Sequence, residues 1–221
     1  PKDVQTQSVE FVFPENPVDI PGRTGENGYD KSAVGEVVKL LNASRRPVIL
    51  AGQGILLSES EEELRIFAEK GAIPVTTTLL GKGVLPDSHE LNLGMMGMHG
   101  EPQANLAIQR SDLLIALSMR FDDRVTGNLN DYAPEARKIH IDIDASEINK
   151  NVRVDLGLIG DLKKVLSTVI AEMPEENHLP WLEMIEEWRR ESRKRDISHM
   201  DPKGKLYAAQ VIRSIWEHTG G

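Results

Sequence analysis

The chain has 221 residues, with 26 Lys and Arg against 35 Asp and Glu for a formal net charge of -9, and it has no cysteine. The length suits one large domain with tails, and the hydrophobic fraction of 39% and charged fraction of 28% describe a globular chain. Disulfides and thiolate metal sites are excluded, a general nucleic-acid groove is disfavoured by the acidic balance, and no apolar run is long enough for a membrane span. With no signal-peptide pattern at the start, a cytoplasmic placement without membrane contact is the expectation.

Residues 1–30 are rich in Pro, Gly and Asn, and Pro14, Pro17 and Pro21 discourage helix. They read as a linker arriving from an upstream domain. Asp30 or Ser32 can cap the helix that follows, whose Val34, Val37, Val38 and Leu41 recur at helical spacing. Pro47–Ala51 is a short buried strand ending at Gly52-Gln53-Gly54. Glu61–Lys70 predicts an acidic-fronted helix with Gly71 as its stop, and Ile73–Thr77 the next strand. Residues 79–100 are Gly- and Met-rich with little period, as functional loops often are. A helix over Gln103–Arg110 and strands over Leu113–Leu117, Lys138–Ile143 and Val154–Ile159 follow, and Asp161 caps a helix containing Leu162, Val165, Leu166, Val169 and Ile170.

This alternation predicts an α/β fold, a doubly wound, mostly parallel sheet with helices on both faces over residues 31–174. In such sheets ligands bind beyond the carboxyl ends of the strands, where every motif below sits. After Pro174 comes an amphipathic helix, Trp181–Arg195, then a polar stretch to Lys205 and a second helical pattern, Leu206–His218. Residues 175–205 therefore read as a helical linker and 206–221 as the truncated start of a downstream domain.

The segment Arg120-Phe-Asp-Asp-Arg-Val-Thr-Gly127 places two arginines and two aspartates at the exit of an apolar strand. Charges there cost free energy unless they serve each other or a ligand. They form either an ion-pair loop or a site for a large anionic cofactor, with Arg120 giving a charge-assisted hydrogen bond. Gly52-Gln53-Gly54 is either a plain tight turn or a place where backbone amides approach a pyrophosphate. Leu57 stands where a dinucleotide fingerprint has its third glycine, and Thr76, Thr77 and Thr78 stand where a ribose acid belongs, so an NAD-type site is poorly supported. Thr78-Leu79-Leu80-Gly81 and Met96-Gly97-Met98-His99 can flank a flat ring, or be core and a structural histidine. Asp142 and Asp144 share a face if their strand continues, and are then a cation pair or a strand-end turn. No nucleophile–base pair, zinc motif or Walker loop appears, so no catalytic or metal residue is assigned.

Arg120–Gly127 with His140–Asp144, supported in order by Gly52-Gln53-Gly54, Thr78–Gly81, Met96–Gly100 and Gly160-Asp161, resembles the central domain of the acetolactate synthase (acetohydroxyacid synthase) large-subunit family. The resemblance runs from about Lys2 to the C-terminus. It implies an FAD-binding domain of a thiamine-diphosphate-dependent enzyme that condenses two pyruvates, or pyruvate and 2-oxobutyrate, in branched-chain amino-acid synthesis. FAD would be contacted by Gln53, Thr78, Leu79, Leu80, Gly81, Met96, Gly97, Met98 and His99. Further contacts would come from Ser118, Met119, Arg120, Phe121, Asp122 and Arg124, from Asp142 and Ile143 at the adenosine end, from Asp161 and Leu162, and from Arg23. Where the family usually has glycine, this chain has Ser118. Thiamine diphosphate and Mg²⁺ would sit on flanking domains of the parent, a homo-oligomer with a regulatory subunit, leaving this piece inactive alone. Rival readings are the same domain of another thiamine enzyme, such as glyoxylate carboligase or pyruvate oxidase, or a spacer that binds no nucleotide.

Overall fold

The computed structural model describes residues 7, 8, 10, 29–194, 204 and 206–219. Arg23 and most of the 1–30 segment lie outside them. Six parallel strands form one sheet: β1 (Pro47–Ala51), β2 (Val75–Thr77), β3 (Asn92–Met95), β4 (Leu113–Leu117), β5 (Arg137–Asp142) and β6 (Leu156–Ile159). Their order is β3-β2-β1-β4-β5-β6. The winding therefore reverses between β1 and β4, and a crevice opens beyond their carboxyl ends.

β1 and β4 pair in register from Pro47 with Leu113 to Ala51 with Leu117, and every residue of both is buried. Continuous apolar runs of this kind suit a strand covered on both faces. The alternation divides them cleanly. Ile49, Ala51, Leu113, Ile115 and Leu117 join one core, and Val48, Leu50, Leu114 and Ala116 the other. The first core is closed by α1 (Lys31–Ala43), α3 (Glu61–Gly71) and α6 (Leu162–Glu172). The second is closed by α4 (Pro102–Arg110) and α7 (Leu179–Arg193). The short helices α2 (Gly54–Leu57) and α5 (Asp123–Thr126) lie at the carboxyl edge, and α8 (Ala208–Thr219) carries no buried residue.

Of the two candidate caps of α1 it is Asp30 that serves, accepting the Ser32 N–H at 2.9 Å. Other local expectations change. Gly71 does not stop α3. It is buried within it, where a Cβ would stand 2.6 Å from Ile73 Cδ1, and Ala72 takes the left-handed turn at φ 47°. Within the irregular 79–100 segment the structure finds β3, paired only with β2 and interrupted in register between Val75 and Thr77. The helix after Pro174 does more than link. Trp181 and Ile185 are each 2% exposed, and the Trp181 indole donates to the Pro47 carbonyl at 3.1 Å. α7 thus completes the second layer. Among the described residues, no helix is long and apolar enough to cross a membrane.

Candidate functional site

The site begins where β1 and β4 end. Gly52 donates its N–H to the Leu117 carbonyl at 3.0 Å, and Gly54 donates to Ser118 at 3.3 Å. A Cβ on Gly52 would stand 2.1 Å from the Ser118 carbonyl oxygen, and one on Gly54 would stand 2.2 Å from Ser118 Cβ. These glycines let the exit of β4 cross directly over β1. The amides of both glycines are therefore engaged within the protein. Gln53 itself is exposed, with its side chain on the crevice.

Ser118 adopts φ 45°, the left-handed region where a side chain costs about 1–2 kcal/mol. The turn it makes sets an alternation beyond β4. Met119 and Phe121 are buried at 3% and 4% exposure, while Arg120 points out. The Arg120 guanidinium has no hydrogen bond or ion pair with any described residue. Asp122 caps α5 by accepting the Arg124 N–H at 3.0 Å, and Arg124 reaches Met98 Sδ at 3.8 Å and Asp123 at 4.0 Å. The ion-pair-loop reading therefore does not account for Arg120.

The Met96–Gly100 loop is pinned against this turn. Met98 donates its N–H to the Arg124 carbonyl at 2.9 Å, and a Cβ on Gly97 would meet that oxygen at 2.4 Å. Asn105 clamps Gly97 from the other side, accepting its N–H at 2.8 Å and donating to its carbonyl at 2.9 Å. Thr78 caps the turn over Leu79–Gly81, where a Cβ on Gly81 would stand 2.5 Å from the Ala51 carbonyl oxygen.

β5 ends at Asp142, so Asp142 and Asp144 do not share a strand face. Asp142 accepts the Asp144 N–H at 2.9 Å. Asp144 accepts from the Ser146 hydroxyl at 2.7 Å and N–H at 2.8 Å, which hold its carboxyl below the usual carboxylate range. Among the described residues, no three His, Cys, Asp or Glu side chains stand together as a metal site. Asp161 caps α6, as its position suggests, by accepting the Lys164 N–H at 3.1 Å.

Together these ends enclose a cleft of about 1110 Å³. Of the residues singled out from sequence, all line it except Arg23, Gly81, Gly97 and Phe121. Arg23 lies outside the described residues. Gly81 and Gly97 are backbone spacers, and Phe121 packs edge-on against Tyr132 and His140, at centroid distances of 6.1 and 5.2 Å. The sequence reading missed Ser58, Met95, Val125 and Glu147, and noted Leu57 only as a substitute for glycine. Leu57 and Glu147 lie one short helical turn beyond Gly54 and Asp144, and that spacing was the available signal. The rim is apolar and open, with Leu57 at 77%, Leu79 at 69%, Leu80 at 60%, Met98 at 65% and Ile143 at 66% exposure. Exposed apolar groups gathered in one concavity beside a cation unpaired among the described residues suit a ligand that is flat and apolar at one end and anionic elsewhere.

Known proteins place the chain further. The family model for the central domain of thiamine pyrophosphate enzymes matches residues 34–169. An acetolactate synthase of Mycobacterium bovis is 47% identical over 189 residues, 85% of this chain and 30% of its own length. A probable acetolactate synthase large subunit of Methanocaldococcus jannaschii is 45% identical over 200 residues, 86% of this chain and 33% of its own. An acetolactate synthase large subunit of Buchnera aphidicola subsp. Schizaphis graminum is 36% identical over the whole chain, 39% of its own length. The chain thus spans about a third of the curated relatives it matches. By the family match and by its sheet, the chain belongs to the thiamine pyrophosphate enzyme central-domain family.

Proposed function

We propose that this chain is the FAD-binding central domain of an acetolactate synthase catalytic subunit. The observation that carries the reading is the cleft at the reversal between β1 and β4, with five exposed apolar side chains and Arg120, which is unpaired among the described residues. Its size, about 1110 Å³, stands just above the range of about 300–1,000 Å³ for small-molecule sites and suits a dinucleotide.

The donor set fits FAD. Leu79, Leu80, Met98 and His99 would border the flavin, and Arg120 would give a charge-assisted hydrogen bond to an anionic or carbonyl oxygen. Asp142 and Asp161 would face the ribose hydroxyls, for which carboxylate acceptors are the right chemistry. NAD is disfavoured because Leu57 stands in place of the fingerprint's third glycine and Thr77 and Thr78 stand at the end of β2. In this reading FAD takes no obligatory redox part and supports the architecture of the active site.

The relatives are named acetolactate synthases, which supports the reading drawn from the resemblance: the parent would condense two pyruvates, or pyruvate with 2-oxobutyrate, and its flanking domains would hold thiamine diphosphate and Mg²⁺. Residues 1–30 would lead in from one such domain and 206–221 into the other. The parent would be a cytoplasmic homo-oligomer with a regulatory subunit. No group on this chain is assigned to the chemical step, so with thiamine diphosphate, Mg²⁺ and FAD supplied it is expected to form no acetolactate. The test of the cofactor is titration calorimetry with FAD and NAD in parallel. Tighter FAD binding is expected, and equal or tighter NAD binding would overturn the reading.

A further inference from the structure

Arg120 is flanked by two residues that are both held by one side chain outside the cleft. His140, in β5, is fully buried. Its Nε2 lies 2.9 Å from the Met119 carbonyl oxygen. A carbonyl can only accept, so Nε2 carries the ring proton. The edge of the same ring meets Phe121 at a centroid distance of 5.2 Å and an interplanar angle of 80°. Nδ1 is buried with no hydrogen-bond partner, and the Asp142 carboxylate stands 3.7 Å from Nε2.

An imidazole in a β-strand core with half its capacity unmet costs stability, and an aliphatic residue of similar volume would avoid that cost. What His140 adds is a donor in a place where the chain needs one. Ser118 holds an unfavourable left-handed conformation, and such conformations persist only where neighbours over-determine them. Its N–H is donated to Ile141 at 2.8 Å, its carbonyl receives Gly54, and the next carbonyl is taken by His140.

We propose that His140 is a positioning residue for Arg120. By tying the Met119 carbonyl and packing on Phe121, it fixes the backbone on both sides of Arg120 and aims into the cleft a guanidinium that has no partner among the described residues. The consequence for affinity rests on the FAD reading above, while the restraint on the backbone does not.

The experiment uses the 221-residue chain with His140→Leu, His140→Gln, Arg120→Ala and the His140→Leu/Arg120→Ala pair, each checked by thermal melting. His140→Leu removes the donor and His140→Gln keeps an N–H of similar reach. FAD titrations should show about a tenfold loss for His140→Leu, the scale of one lost charge-linked hydrogen bond. Most of it should return in His140→Gln, with little further loss when His140→Leu is added to Arg120→Ala. Multiplying losses, or a folded His140→Leu with unchanged affinity, would overturn the proposal. Two readouts stand apart from FAD. Imidazole ¹⁵N spectra should show protonation at Nε2, and the backbone order parameter of Arg120 should fall in His140→Leu and recover in His140→Gln. Protonation at Nδ1, or an unchanged order parameter, would overturn the proposal. If the wild-type chain binds no FAD, the cofactor reading fails and these spectra alone decide the role of His140.

Discussion

The two ends of this sheet use charge in opposite ways. At the amino end charges tie loops together. Asp112 accepts the N–H groups of Arg45 and Arg46, both at 2.9 Å. The Arg46 side chain reaches the Arg110 carbonyl at 2.6 Å and Glu135 at 3.3 Å, and Arg137 meets Asp155 at 3.1 Å. Lys138 donates to the Ala133 and Ala136 carbonyls, each at 2.9 Å. At the carboxyl end Asp122, Asp144 and Asp161 cap turns, but Arg120 has no partner among the described residues and stands beside exposed aliphatic side chains. One end is closed on itself and the other is held open. The same residue types tie loops together or stand open to the crevice according to whether the backbone has already given them partners.

Substitutions should separate these roles. The largest loss of stability is expected at Trp181, which is 2% exposed and joins α7 to β1. Trp181→Ala should cost about 3–5 kcal/mol in denaturant unfolding. A loss below about 1 kcal/mol would mean that α7 is not part of the folded unit. Next comes Gly52→Ala, whose Cβ meets backbone and Met119 Cβ between 2.1 and 2.7 Å away. Overpacking there should cost about 1–3 kcal/mol and also weaken FAD binding, because it moves the segment bearing Arg120. Normal stability in that variant would show that β4 can cross elsewhere.

A smaller effect belongs to pH at the closed end. Burial depresses the pKa of His178 below its ordinary 6.5, against the opposing fields of Glu176 and Asp112. The unfolded chain therefore binds this proton more readily than the folded one. The contribution is fully present above 6.5 and lost as pH falls through that value and below. Unfolding midpoints at about pH 7.5 and 5.5 should differ less in His178→Gln than in the wild type. An equal difference would remove His178 from the account. The smallest change is expected from Ser118→Gly. It relieves the left-handed strain but frees the unfolded chain, for a net gain of no more than about 1 kcal/mol. A clear destabilisation would mean that the Ser118 side chain packs against Gly54 to greater effect than its backbone costs.

Much of this was legible in the sequence because it is written as period. β1 and β4 have the bounds their apolar runs suggest, the cap at Asp161 follows from residue type, and that at Asp30 is one of the two that residue type allowed. β3 was not legible, since Gly94 and a register shift break a strand of four residues that pairs on one side only. Most expected site residues do meet in one cleft, because the strand ends bring them there whatever their roles. The reasons for the glycines were hidden. Gly52, Gly54, Gly81 and Gly97 each clear space for another backbone segment or its side chain, and that contact is set by tertiary crossing rather than local sequence. For the same reason the role of His140 could not be read, although it stands in the His140–Asp144 motif. Its partner is the Met119 carbonyl in the turn beyond β4, and main-chain acceptors leave no pattern in side chains.

The central claim is that the open end is kept open for FAD, with Arg120 as its anchor. Calorimetric titration of FAD into wild-type and Arg120→Ala chains, with melting curves taken in parallel, tests it most directly. The account predicts measurable binding by the wild type. For Arg120→Ala it predicts a loss of about 1.5–3 kcal/mol, roughly tenfold or more in affinity, with no change in melting temperature. Equal affinity in a fully folded Arg120→Ala chain would contradict it and make Arg120 an ordinary surface charge.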